Sequence, residues 1–166
     1  LTKLRSWKYG FNSPFKAEVY FVNTRQFLNQ KWGTANPVMM RDPEFGMLRL
    51  RAYGIFSFRV SDPAVFLKEI FGTRAEFSVE GIVGQLRKKV VTVFSDTLGE
   101  ANIPALDLAS QYRELGALLI GHLRDDFGRL GLGLASLYIE NISLPEEVEK
   151  AIDSRSRMGV LGDLGR

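Results

Sequence analysis

The sequence contains no cysteine and only one histidine among its 166 residues. Disulfide bonds are therefore excluded, and so is a zinc site built from Cys and His side chains within these residues. A reducing cytoplasm is compatible with this composition. We expect this segment of the protein to hold no metal ion and no other cofactor.

Long hydrophobic runs are also missing. The longest, at 90–94 and 115–120, contain Thr or Gly and are far shorter than the roughly 20 apolar residues that a membrane-spanning helix requires. Residues 1–10 include basic side chains but lack the apolar core and cleavage site of a signal peptide. Since the sequence begins at Leu1 rather than Met, we interpret both ends as the boundaries of a piece of a longer protein.

What remains is the composition of an ordinary folded domain. Apolar residues make up 45% and charged residues 25% of a chain long enough to bury one hydrophobic core. The net charge is only +3, and the basic residues are spread among acidic ones. This balance does not by itself indicate a nucleic-acid-binding protein.

The clearest periodic pattern covers residues 47–60, where apolar and polar residues alternate. Such alternation predicts a long, half-buried strand, with a bend at Gly54. Shorter strands are predicted at 16–22 and within 30–40. The expected buried face of the long strand comprises Leu48, Leu50, Ala52, Phe56, Phe58 and Val60, and the opposite face comprises Arg49, Arg51, Tyr53, Ser57 and Arg59.

The second half of the sequence has mostly helical periodicity. Asp62 and Pro63 predict the start of a short helix, and a longer amphipathic helix follows Ser78. Asp107 is a candidate cap for a second long helix that ends near Gly131. A strand is predicted at 132–142 and a last helix after Pro145. Strands followed by helices, with a returning strand, favour an α+β domain.

Two separated segments carry a family resemblance. Residues 54–66, Gly-Ile-Phe-Ser-Phe-Arg-Val-Ser-Asp-Pro-Ala-Val-Phe, resemble the signature of the stomatin/prohibitin/flotillin (SPFH, band 7) family, in which an aromatic strand ends in Arg-Val and Asp-Pro opens a helix. Residues 131–152, which include Leu144-Pro145-Glu146, resemble the closing strand and last helix of that family. Residues 7–15 are similar to the start of a bacterial, virion-core-like subgroup.

The resemblance implies a single α+β domain over residues 1–154, with a curved, mainly antiparallel sheet packed against amphipathic helices. Residues 155–166 are expected to form a flexible Gly-rich tail. By resemblance, the domain is a non-catalytic scaffold that forms homo-oligomers in the full-length protein. The expected location is cytoplasmic, peripheral at the inner face of the plasma membrane, and the subgroup implies a metal-binding ribbon with cysteines beyond Arg166.

The expected partners are other copies of the chain and a membrane surface or a membrane-anchored protein; no nucleic acid or small-molecule substrate is expected. Aromatic residues near the N-terminus alternate with Lys and Arg, a combination favoured at membrane surfaces. Packing of an edge segment explains them equally well. These candidates for membrane or partner contact are Trp7, Tyr9, Phe11 and Phe15.

Two alternative functions also depend on named residues. Arg49, Arg51 and Arg59 share one strand face and could contact nucleic-acid phosphates, although a solvated sheet face explains them as well. His122 and Asp126 lie one helical turn apart, as an acid/base pair would, or as a simple contact on the helix surface.

Overall fold

The computed structural model describes residues 21–73 and 78–164. Their order of strands first, helices second and one returning strand confirms the α+β class. The elements are β1 (Phe27–Gly33), β2 (Val38–Asp42), β3 (Gly46–Val60), α1 (Pro63–Thr73), α2 (Val79–Ala101), a 3-10 helix (Ala105–Ser110), α3 (Tyr112–Arg129), β4 (Leu132–Ser143) and α4 (Glu146–Leu164).

Strand β3 organises the antiparallel sheet. It pairs with β4 along residues 51–60, with β1 along 53–58 and with β2 along 46–50. The bend predicted at Gly54 coincides with a bulge, where β4 contributes the extra residue Glu140. A Cβ atom on Gly54 would overlap the carbonyl oxygen of Tyr138. Glycine is therefore required for this close approach of the two strands.

Helices α2 and α3 cover one face of the sheet and close the core. The rings of Trp32 on β1 and Phe94 on α2 lie 5.5 Å apart. Phe56 on β3 meets Phe127 on α3 edge to face, with ring centroids 6.3 Å apart. All six apolar residues predicted for the buried face of β3 are buried. The predicted amphipathic stripes of both long helices thus pack on the sheet.

The prediction for Ser57 was wrong. The alternation of β3 predicts Ser57 on the solvent side of the strand, but its side chain is buried. The Ser57 hydroxyl accepts the N–H of Asn29 at 3.1 Å, and Asn29 has the positive φ of 52°. This irregular turn of β1 covers Ser57, and no pattern within β3 could reveal it.

Helix starts agree with the predictions in two cases and differ in one. Asp62 Oδ1 accepts the N–H of Val65 at 3.2 Å, and Ser78 Oγ accepts the N–H of Gly81 at 3.0 Å, so both residues cap helices. Asp107 does not cap α3, because it lies inside the preceding 3-10 helix.

The C-terminal part begins as predicted but continues differently. The N–H groups of Val148 and Glu149 donate to the carbonyl oxygen of Pro145 in the first turn of α4. Residues 155–164, expected to belong to a flexible Gly-rich tail, continue α4 as helix. The domain boundary at residue 154 stays a prediction. The strand predicted at 16–22 lies outside the described residues, apart from residues 21 and 22, which are irregular.

Candidate interaction surface

The two segments that carry the family resemblance meet in space. The carbonyl oxygen of Gly131 accepts the N–H groups of Ser61 and Asp62, at 2.9 and 3.0 Å, and the Ser61 hydroxyl at 3.2 Å. Gly131 has a φ of +74°, and a Cβ there would press against Asp62 and Phe66 backbone atoms. The strand-to-helix turn after β3 is thereby fixed against the turn between α3 and β4.

Gly128, Gly131 and Gly133 could suggest a glycine-rich phosphate-binding loop, but their place in the fold argues against one. The Gly131 N–H donates to the carbonyl oxygen of Gly128 at 3.0 Å, at the end of α3. Gly128 lies in the last turn of α3 and Gly131 lies between α3 and β4, so the helix precedes the strand, which is the reverse of the order that directs amides at a phosphate. Gly131, with its positive φ just past the end of the helix, terminates α3.

Opposite the helices, the sheet presents a face to solvent that we call the outer sheet face. Its central strand contributes four of the five polar side chains predicted from the alternation of β3, all except Ser57, and neighbouring strands extend it on both sides. The outer sheet face includes Lys31 of β1, Met39 and Arg41 of β2, Met47, Arg49, Arg51, Tyr53, Ile55 and Arg59 of β3, and Tyr138, Glu140, Asn141 and Ser143 of β4.

The three arginines of the nucleic-acid alternative share this face but do not form one cluster. Arg49 and Arg51 are successive residues on the face, about 7 Å apart along the strand. Arg59 lies eight residues further on, about 26 Å away if the strand is straight, with its side chain beside Gly133. The structure instead brings Arg41 of β2 near this pair, since Arg41 pairs with Met47.

The cations of the outer sheet face are not neutralised internally. In the part of the chain that the structure describes, no ion pair or side-chain hydrogen bond involves Arg41, Arg49, Arg51 or Arg59. The ion pairs of the described part of the chain lie instead on the helices, as between Lys150 and Glu146 at 3.1 Å. Positive charge therefore accumulates on the outer sheet face.

One buried carboxylate is a structural anchor. Asp42 Oδ2 accepts the N–H groups of Glu44 and Phe45, both at 2.9 Å, and Oδ1 accepts the N–H of Ala105 at 2.8 Å. Burial opposes ionisation, but these three donors outweigh it and hold the pKa of Asp42 below its ordinary value. Asp42 thus ties the β2–β3 hairpin to the 3-10 helix. The sequence indicated the turn but not this long-range contact.

His122 and Asp126, the possible acid/base pair on α3, lie in different environments. His122 is exposed, whereas the Asp126 carboxylate lies 3.8 Å from the Lys89 ammonium group and 3.5 Å from the Arg129 guanidinium. Asp126 therefore links α3 to α2. Over residues 21–73 and 78–164, no group of His, Asp and Glu side chains is arranged to hold a metal ion.

An apolar cavity of about 240 Å³ lies between the end of β3, α1 and the start of α2. Its walls include Phe27, Phe58, Val60 and Phe66. Among the residues that the structure describes, the lining of this cavity is apolar except for Asn23. The expectation that the domain has no small-molecule substrate stays a prediction.

The N-terminal candidates Trp7, Tyr9, Phe11 and Phe15 lie outside the described residues. Their contact with a membrane or partner stays a prediction. Among the helices that the structure describes, none combines the length and apolar character needed to cross a bilayer.

Comparison with known proteins agrees with the family resemblance of the two sequence segments. The SPFH domain-Band 7 family matches residues 1–160. The uncharacterized protein YdjI of Bacillus subtilis (strain 168) is 30% identical over 177 residues, covering 100% of this chain and 51% of that protein. The chain thus spans about half the length of this curated relative. With a match over nearly its whole length, the chain belongs to the SPFH domain-Band 7 family.

Proposed function

We propose that this domain is a non-catalytic scaffold module that forms homo-oligomers within its full-length protein at a membrane. The observation that supports this most is the match to the SPFH domain-Band 7 family over residues 1–160. The polar contacts described above add support, because they are structural. Asp42 anchors a hairpin, and Ser61 and Gly131 join two turns.

The proposed location is the inner face of the plasma membrane, reached through the lipid surface or through an anchored partner. The mechanism is a gain in effective concentration. Contacts between subunits that are weak in solution become stable when copies are held on one surface, because the second contact is then effectively intramolecular. The domain alone is therefore expected to be monomeric or weakly dimeric.

Sedimentation velocity over a wide range of concentration tests this mechanism. The 166-residue chain should sediment as a monomer at micromolar concentration, and the full-length protein should form larger species. A stable ring formed by the isolated domain would contradict the role proposed for tethering. A full-length protein that stays monomeric at every concentration and in the presence of membranes would contradict the scaffold function.

A further inference from the structure

The outer sheet face has an interleaved pattern of methionine and arginine. Met39 of β2 lies opposite Arg49 of β3, and Arg41 lies opposite Met47. Directly opposed residues of antiparallel strands have Cβ atoms only about 5 Å apart. Each cation at this end of the sheet therefore borders an apolar side chain.

The pattern continues toward the centre of the sheet with tyrosines. Arg51 is followed on the same face by Tyr53 and Ile55. Ile55 pairs with Tyr138 of β4 on one side and with Lys31 of β1 on the other. Apolar, aromatic and cationic groups thus form one continuous surface across the four strands.

The apolar members of this surface are well exposed. The exposed fraction is 47% for Met39, 53% for Met47, 52% for Tyr53 and 61% for Tyr138. Single apolar residues are normal on protein surfaces, but a contiguous group marks an interaction site. Tyrosine, methionine and arginine are also the residue types enriched in protein–protein interfaces, and methionine adapts to differently shaped partners.

Charge requires the partner of this surface to be acidic. Among its described residues, the outer sheet face carries one acid, Glu140, against the cations Lys31, Arg41, Arg49, Arg51 and Arg59. A second copy of the chain offers a poor charge match on α3, one of the two long helices that cover the other face of the sheet. Its acids Glu114, Asp125 and Asp126 are interspersed with Arg113, Arg124 and Arg129.

The apolar component favours a protein partner over nucleic acid or lipid. Phosphate recognition needs a track of cations with stacking aromatics, whereas methionines occupy alternate positions here and Arg59 is remote. Elements that lie on bilayers insert Trp, Phe or Leu. A helix is about 10 Å wide and would cover two neighbouring strands, which are spaced about 4.8 Å apart. A single helix therefore fits on this surface. We propose that the outer sheet face docks an amphipathic helix of an acidic partner protein, in which carboxylates flank an apolar stripe.

This inference rests on the proposed scaffold function, because it names the partner chemistry that the scaffold recruits. The chain is labelled with nitrogen-15 and titrated with a synthetic helical peptide of about 18 residues, five helical turns, with Leu at i, i+3, i+4 and i+7 and Glu on the flanks. Amide shifts should concentrate on β2, β3 and the part of β4 around Tyr138. Shifts confined to the helical layer, or no binding near physiological salt, would overturn the proposal.

Matched variants separate this face from general charge. Arg49→Glu combined with Arg51→Glu should weaken binding at least about tenfold. Arg113→Glu combined with Arg124→Glu makes the same change in net charge on α3 and should stay within about twofold. Equal losses of peptide binding in both variants would contradict specific binding at the outer sheet face. If the first variant fails to fold, Tyr138→Ser replaces it, with a loss of binding again expected.

Three further probes decide the class of partner. A peptide with Ser in place of Leu should bind at least about tenfold more weakly, because it lacks apolar burial. Single-stranded DNA and phosphatidylglycerol vesicles should bind more weakly than the acidic helix. Tighter binding of either one at this face, or undiminished binding of the Ser peptide, would overturn the assignment. Since these titrations use the domain alone, failed oligomerisation of the full-length protein would refute only the scaffold function.

Discussion

Ser61 and Gly131 are joined by two hydrogen bonds although they lie 70 positions apart in the sequence. The N–H and the hydroxyl of Ser61 both donate to the Gly131 carbonyl oxygen. Each residue belongs to one of the two segments that resemble the SPFH family. Their contact joins these segments in space, since the turn after β3 and the turn before β4 are formed against each other.

Gly131→Ala should destabilise the domain by at least about 2 kcal/mol, because alanine is strained at positive φ and its Cβ meets backbone atoms. Gly121→Ala is the matched control, since a Cβ at Gly121 meets nothing within 4 Å. The control should stabilise α3 by about 0.5–1 kcal/mol. Urea unfolding measures both changes. Equal effects of the two substitutions would contradict the role of Gly131.

Asp42→Asn should lower the free energy of unfolding by about 1–3 kcal/mol near neutral pH, because a charged acceptor of three N–H groups is lost. The pKa of Asp42 is lowered by folding, so its contribution is fully present above the unfolded pKa of about 3.9 and is lost as the pH falls through the folded pKa. The stability gap between wild type and variant should therefore shrink in acid.

Urea unfolding of both proteins at about pH 7 and about pH 3 checks this dependence. Because the other carboxylates are common to both proteins, their titration cancels in the difference. A gap that is constant or grows toward low pH would contradict the assigned role of the Asp42 carboxylate.

Tyr112→Phe should destabilise the C-terminal end of β4. The Tyr112 hydroxyl accepts the N–H of Ile142 at 2.9 Å, and its loss should cost about 1–2 kcal/mol. Amide hydrogen exchange at Ile142 should accelerate, while exchange at Phe56 should follow only the global change in stability. Tyr138→Phe, which alters an exposed ring, should change stability by less than about 0.5 kcal/mol. Unchanged exchange at Ile142 would rule out this anchoring contact.

The ion pair of Lys89 and Asp126 should contribute little to stability. Its atoms are 3.8 Å apart, and the Lys89 side chain is 47% exposed, so solvent screens the attraction. A double-mutant cycle with Lys89→Ala and Asp126→Ala should give a coupling energy below about 1 kcal/mol. A larger coupling would mean that this pair, rather than apolar packing, determines how α2 lies against α3.

The strand β3 could be predicted from the sequence because a period of two over 14 consecutive residues has one interpretation as a half-buried strand. The outer sheet face was only partly predictable. Residues 34–37 separate β1 from β2, each of which pairs with β3, and each of these two strands is too short to reveal its own alternation. Lys31, Met39 and Arg41 were therefore missed, although Met39 and Arg41 flank the buried Met40.

Contacts between distant residues account for the other differences. Asp107 resembled a helix cap, but in the structure its carboxylate lies 3.3 Å from the guanidinium of Arg155 on α4. The tail from Arg155 contains glycines, each of which costs about 1 kcal/mol in a helix, yet α4 extends to Leu164. Local propensity was overridden in both places, and no pattern within a single segment carries that information.

The most direct test of the scaffold function is co-sedimentation of the full-length protein and of this domain with anionic and neutral liposomes and with native membrane vesicles. Light scattering records oligomer size in the same samples. We expect the full-length protein to associate with one of these membranes and to assemble there, while the domain alone stays small. A full-length protein that remains monomeric and in the supernatant with every membrane would contradict the scaffold function.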